Sequence, residues 1–319
     1  MKVRYFKRLL PKPVKVFFKR IVGIPLSTPE VRVIYSSYAN KKIFSGAESN
    51  SRIYQLLKNT QPALIARIGS TEQSCLINYI EKRQGNAKSW KPSIVEEMWH
   101  ASGFFSNSAE QLDRFSEEMI EHLKNVDVLG VWFNEGEKYI CENVCPQADF
   151  VHLADIEPYY HTNPWSRILE GKRVLVVHPF ADSIQSQFKQ RELLFNDRQV
   201  LPDFELITFR SVQSITYNRP DFENWFQALS YMQDQIGHIN FDIAIVGAGA
   251  YGLPLASFIK TLGKHAVHMG GATQVLFGIK GKRWENMPFF QQLFNEYWIR
   301  PSETEKPSAA DTMEGGAYW

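Results

Sequence analysis

The sequence predicts an α/β fold, a Rossmann-like and mostly parallel sheet with helices on both faces. Two observations carry that prediction. Runs of four to seven apolar or β-branched residues, bounded by turn signals, alternate with helical segments. Strands separated by helices pair in parallel, and a parallel sheet must be covered on both faces. A third observation is permissive: 319 residues with 44% hydrophobic and 22% charged content suffice for one large core and exclude global disorder. In chain order the strands are expected at 63–68, 126–132, 150–153, 173–178, 205–209, 241–246 and 265–269. Helices are expected at 51–59, 72–82, 108–124, 164–170, 183–194, 222–236 and 252–262. The 108–124 helix is well marked: Asn107 or Ser108 can cap it, and Leu112, Phe115, Met119, Ile120 and Leu123 form an apolar stripe. One domain is expected over 45–300, preceded by a basic amphipathic segment (1–44) and followed by a polar tail (301–319). Residues 301–316 read as loose, with Tyr318 and Trp319 able to dock the end.

The net charge of +2 hides an asymmetry. Residues 1–20 hold eight bases and no acid, which leaves 28 bases against 34 acids, a net of −6, for residues 21–319. The bases alternate with Tyr5, Phe6, Leu9, Leu10, Phe17 and Phe18, a pattern suited to lying on an anionic lipid surface. A solvated basic arm is the alternative. A nucleic-acid partner is not expected, because the acidic remainder offers no basic surface to extend the contact. No apolar run approaches the ~18 residues of a membrane span. Cys75, Cys141 and Cys145 cannot form a disulfide framework and lack zinc-knuckle spacing, as expected of reduced thiols in a cytoplasmic protein.

In an open parallel sheet, ligands bind beyond the carboxyl ends of the strands. Strand 241–246 runs into Gly247-Ala-Gly249-Ala-Tyr251-Gly252 and then a helix, the context that gives G-x-G-x-x-G its meaning. The turn reads as a phosphate or diphosphate cradle, as a NAD(P) site, or as tight strand–helix packing. NAD is not favoured, because the next strand ends in His268-Met-Gly270-Gly271 with no acid for the ribose. Strand 63–68 exits through Arg67-Ile-Gly69-Ser70-Thr71-Glu72. Arg67 can meet a phosphate there, and Glu72 can take a metal, a sugar hydroxyl or a proton, or simply complement the helix dipole. Strand 173–178 ends at His178, four residues before Asp182, and both are candidates for acid–base work. His152 and Asp155 are weaker candidates of the same kind. Gln274, Lys280, Lys282 and Arg283 follow the last strand and can complete an anion site.

These segments resemble bacterial glycosyltransferases of the GT-D fold type, many associated with surface-polysaccharide synthesis. Arg67-Ile-Gly69-Ser70-Thr71-Glu72 looks like that family's Arg-x-Gly-Asp-Gly-Glu turn, and 242–249 with 268–271 looks like its late Gly-rich unit. The likeness spans about residues 50–285. It implies transfer of a sugar from a nucleotide-diphosphate donor to a glycan or lipid-linked acceptor, in the cytoplasm or peripherally at the inner membrane face. It also implies a Mg²⁺ or Mn²⁺ held by an Asp-x-Glu pair, but Ser70 stands where the family has Asp, leaving Glu72 as the metal candidate. Arg67, Lys280 and Arg283 could neutralise the leaving diphosphate instead. The other readings are an NAD(P)-dependent oxidoreductase or sugar-nucleotide-modifying enzyme using the 247–252 turn, and a non-catalytic membrane-associated module.

Overall fold

The computed structural model describes residues 36–106, 108–313 and 315–319. The basic segment 1–20 and the capping candidate Asn107 lie outside the described residues. Nine strands form one sheet: β1 (Ser37–Tyr38), β2 (Lys41–Phe44), β3 (Leu64–Arg67), β4 (Val128–Val131), β5 (Asp149–His152), β6 (Arg173–His178), β7 (Glu205–Arg210), β8 (Ile243–Val246) and β9 (His265–His268). Their spatial order is β1-β2-β5-β4-β3-β9-β8-β6-β7. The short hairpin β1–β2 is antiparallel and every other pairing is parallel.

The helices are α1 (Ala47–Lys58), α2 (Ser70–Arg83), α3 (Pro92–His100), α4 (Ala109–Lys124), α5 (Glu137–Asn143), α6 (Ala181–Phe188), α7 (Trp225–Gly237) and α8 (Gly252–Thr261). Three short ones follow β9: α9 (Thr273–Leu276), α10 (Lys282–Glu285) and α11 (Pro288–Leu293). Ser108 caps α4, its hydroxyl accepting from the Gln111 N–H at 3.3 Å.

Successive strand side chains point to opposite faces, so the apolar runs feed two cores. Leu64 and Ala66, Leu175 and Val177, and Ala244 and Val246 enter one core, covered by α2, α4, α7 and α8. Ile65, Val174, Val176, Ile243 and Ile245 enter the other, covered by α1, α6, the helices after β9 and the C-terminal segment. This explains why the central strands read as continuous hydrophobic runs.

All seven expected strands form. The hairpin β1–β2 carried no signal: Lys41-Lys-Ile-Phe44 buries Ile43 alone among its side chains. Helix α3 also went unread, as did α5, which starts after Gly136 in the left-handed region (φ 86°). Expected helix 164–170 is a 3-10 turn at Trp165–Leu169. The segment expected to be loose is packed. Glu305, Ala310 and Met313 are buried, the last two in the second core, while Trp319 docks in that core as expected. Sparse hydrophobic anchors among polar residues hid that packing from a period-based reading. Two strands lie before residue 45, so the sheet begins inside the segment read as N-terminal to it. No helix among the described residues is long and apolar enough to cross a membrane. All three cysteines are buried, and burial pushes the Cys75 thiol up to about 12, which leaves it unreactive.

Candidate functional site

Strand β3 leads away toward β4, whereas β9 is entered from β8 on its other side. The carboxyl ends of β3 and β9 lie side by side at the middle of the sheet, and the space beyond strand carboxyl ends is what an open α/β sheet offers to ligands. A cavity of about 150 Å³ opens there, lined by Arg67, residues 68–72, Trp132, Gly247, Gly249, His268, Gly270, Gly271, Arg283, Met313 and Tyr318, among others.

Arg67, the last residue of β3, is the central charge. Its guanidinium carbon lies 4.3 Å from the centre of the Trp132 ring, and its buried Nε has no hydrogen-bond partner. Burial pushes the Arg67 pKa below its ordinary value; Tyr318 and Glu72 act to raise it, and Arg283 lowers it as a second cation in the same space. Trp132 is held from two sides. Its Nε1–H donates to the Ile68 carbonyl at 2.8 Å, and its backbone N–H donates to both oxygens of buried Glu137 at 3.0 Å. No residue from the 126–132 strand was expected to take part; the signal available was a tryptophan at a strand's carboxyl end.

Helix α2 begins at this cavity: residues 70–72 of its first turn line it and bring the partial positive charge of a helix N-terminus. Helix α8 follows directly on the 3-10 turn Gly249–Tyr251, and its first N–H, on Gly252, donates to the Gly249 carbonyl. The Gly-rich turn has mixed duties. Gly249 adopts a left-handed conformation (φ 54°), which favours glycine. A Cβ on Gly252 would sit 2.1 Å from the His268 ring, and one on Gly247 would sit 2.5 Å from the Gly270 carbonyl. Those two glycines therefore serve close packing of strand, helix and turn. Tyr251, expected at the ligand, is instead core: it stacks on Trp225 at 4.8 Å and its hydroxyl pairs with Ser214.

Glu72 is the one carboxylate lining the cavity among the described residues, and it is buried, folded over Gly69. Ser70 lines the same wall as an exposed residue. No group of three His, Cys, Asp or Glu gathers among the described residues. One carboxylate and a serine hydroxyl do not build a resident divalent-cation site, so no step here is routed through a metal.

His178 and Asp182 do not line the cavity. His178 is buried, its Nδ1 accepts from the Phe180 N–H at 3.0 Å, and burial pushes its pKa down to about 3. It stays neutral at physiological pH. Asp182 is exposed and paired with Arg210, and its backbone N–H donates to buried Glu305 at 2.8 Å. Asp155 accepts from the Gly46 N–H and the Ser49 hydroxyl, which makes it a tie to α1. His152 is buried beside Phe133.

His268 lines the cavity, but burial and Arg67 push its pKa to about 3, and its Nδ1 bonds the Val246 carbonyl at 3.1 Å. Gln274 ties down the C-terminal segment, donating to the Tyr318 carbonyl at 3.1 Å. Lys280 is away from the cavity; its backbone N–H pairs with Ile299. Arg283 completes the cationic wall, and its Nη1–H donates to the Tyr318 hydroxyl at 2.9 Å. The Tyr318 ring lies against Gly271, where a Cβ would come within 2.2 Å of it.

No family model matches the chain, and no curated protein matches it. Two solved structures are similar to it. One is described as the selenomethionine-substituted structure of domain of unknown function 1792, at 11% identity and a TM-score of 0.43, covering 84% of this chain and 93% of that one. The other, at 12% identity with the same TM-score and coverage, is described as showing that this domain has a distinct glycosyltransferase fold. At that distance, function rests on this chain's own residues.

Proposed function

We propose that the protein is a glycosyltransferase that moves a sugar from a nucleotide-diphosphate donor to a glycan or lipid-linked acceptor. The observation that carries this reading is the Arg67–Arg283 wall. Two guanidiniums share one cavity, they repel one another, and a buried Nε lacks a partner. An anion seated between them, against the N-terminus of α2, would relieve the repulsion and give the Nε a partner. Its size fits the same reading. About 150 Å³ is below the ~300–1,000 Å³ of pockets that enclose drug-sized ligands, so it suits a group the size of a diphosphate.

Chemically, the acceptor oxygen attacks the anomeric carbon, the bond from that carbon to the diphosphate oxygen breaks, and the diphosphate leaves with the electron pair. Arg67 and Arg283 stabilise that developing charge, the largest electrostatic demand of such a step. In this reading Glu72 orients the acceptor hydroxyl or takes its proton. In this reading the arginines supply the charge that an Asp-x-Glu-bound cation would otherwise bring. Residues 1–20 would hold the enzyme at an anionic membrane surface, the inner face in the surface-polysaccharide reading, where a lipid-linked acceptor resides. Replacing their eight bases should then abolish binding to anionic liposomes and leave donor binding intact.

A thermal-shift panel of UDP, GDP, CDP, CMP and NAD(P)H, each with Mg²⁺, Mn²⁺ or EDTA, tests the reading. One nucleoside diphosphate at ~100 times its Kd should stabilise the fold by about 2.7 kcal/mol, and EDTA should leave the shift in place. A shift with NAD(P)H alone would favour the oxidoreductase reading. No shift with any of them would favour the binding module.

A further inference from the structure

Trp132 lies over the Arg67 guanidinium, and the backbone that carries Trp132 closes around a buried acid. Strand β4 ends at Val131, and the N–H groups of Trp132, Phe133 and Asn134 all donate to the side chain of Glu137, the first residue of α5. We propose that Glu137 is the positioning residue of the anion site: its carboxylate fixes Trp132, and through Trp132 it fixes Arg67. That the anion is a nucleotide's diphosphate rests on the function proposed above.

The turn is built to hold a charge. Glu137 is fully buried, a costly place for a carboxylate unless donors surround it. Phe133 adopts the left-handed region (φ 63°), uncommon for a bulky residue, and such a residue turns successive N–H groups to one side as an anion-holding nest. An apolar residue at 137 would leave those N–H groups without this partner. Trp132 is tied at its other end as well. Its Nε1–H donates to the carbonyl of Ile68, the residue after Arg67, at 2.8 Å, and its ring centre lies 4.3 Å from the guanidinium carbon. Gln73 of α2 closes the frame, donating to the Glu135 carbonyl at 3.1 Å and accepting from the Asn134 amide at 3.3 Å. Glu137 does not line the cavity, so it acts through Trp132 and by its charge on Arg67.

A carboxylate held this way responds to a proton. Protonated, it would present a hydroxyl to a ring of donors, and the turn would loosen. Burial pushes the Glu137 pKa up to about 7, while the three N–H groups and Arg67 act to lower it. The other titratable groups against the turn are Tyr38 of β1 and His152 of β5, whose rings lie 5.0 and 5.2 Å from that of Phe133. On α5 itself stands Cys141, whose thiol Cys145 and burial push up. Helix α2 presents Gln73 and Ile77, which do not titrate.

Heteronuclear NMR of the tryptophan indole N–H groups of the full chain, across neutral pH, tests the assignment, with Trp132→Leu identifying the Trp132 signal. That signal should move with a midpoint near 7 in the wild type and stay fixed in Glu137→Gln. Calorimetry with UDP and GDP at about pH 8, where the wild-type carboxyl is ionised, supplies a second arm. Trp132→Leu should weaken binding about fivefold or more, the scale of a cation–π contact. Glu137→Gln should weaken binding while Trp132 is present and add less than about twofold once it is gone, because coupled residues are not additive. A merely structural role would cost the same in both backgrounds. A Trp132 signal that does not titrate in the wild type, or still titrates in Glu137→Gln, would overturn the assignment, as would additive losses. Should Glu137→Gln fold poorly, Glu137→Asp keeps the charge and should shift the Trp132 midpoint; an unchanged midpoint would overturn the assignment too. If neither nucleotide binds the wild type, the transferase reading falls and the Trp132 signal alone decides the role of Glu137.

Discussion

The carboxyl ends of β3 and β6 look alike in sequence. Each strand is a buried apolar run that ends in a residue able to meet an anion or a proton, Arg67 in one and His178 in the other. Each passes through a short turn into a helix whose first turn holds an acid, Glu72 or Asp182. In space they differ. The β3 end opens on a cavity beside a second arginine and the first turn of α2, whereas the β6 end is closed by Glu305 from far along the chain. That carboxylate accepts from the backbone N–H groups of Asp182 and Ser183 and from the Ser183 hydroxyl, occupying the helix N-terminus a ligand would need. A strand-end pattern thus marks where a site can be; distant chain decides whether it stays open.

The largest expected effect lies at the closed end. Glu305→Ala would leave buried donors at the start of α6 unpaired, at about 1–3 kcal/mol for a lost partner. In a domain of this size each kcal/mol moves the midpoint by roughly 2–4 °C. Calorimetric melting should therefore show a fall of several degrees, with nucleoside diphosphate affinity unchanged. If affinity falls with stability, the two ends are not separate.

The pH dependence sharpens the same contrast. His178 titrates near 3 in the fold against an ordinary 6.5, so the unfolded chain binds its proton first. The folded state loses stability as pH falls below about 6.5, and the loss continues until the pH reaches the folded value near 3. His178→Asn, which can still accept from the Phe180 N–H, should flatten the stability slope between pH 6 and 4. It should not move any limb of the activity profile near neutrality. A neutral-pH limb that disappears in this variant would restore His178 as an acid–base group.

The smallest effect concerns the open end. Tyr318→Phe removes one neutral partner from Arg283 while keeping the ring against Gly271. Affinity for a nucleoside diphosphate should rise by at most about tenfold, the scale of one charge-assisted hydrogen bond. A fall would mean that the Tyr318 hydroxyl contacts the ligand itself.

Much of the fold was legible because the two cores are fed by strands whose apolar runs exceed what any loop would carry. Of the site, Arg67, Gly69, Ser70, Glu72, Gly247, Gly249, Gly270, Gly271 and Arg283 were legible, since strand-end position and turn chemistry are local. Trp132 and Met313 were not. They reach the crevice from another strand and from the chain's end, and nothing in one dimension brings residue 313 beside residue 67. The glycines were legible as motif and misleading as chemistry, because Gly247 and Gly252 are small for packing against β9 and its turn.

The central claim is that the anion sits at the β3 end and not at the β6 end. Calorimetric titration of UDP and GDP into wild type, Arg67→Met and Asp182→Asn, with EDTA present, tests it most directly. The account requires one of the two nucleotides to bind the wild type and Asp182→Asn alike, and to lose roughly 30-fold or more in Arg67→Met, the scale for removing one member of a buried charge pair. Binding that survives Arg67→Met, or is lost in Asp182→Asn alone, would contradict it.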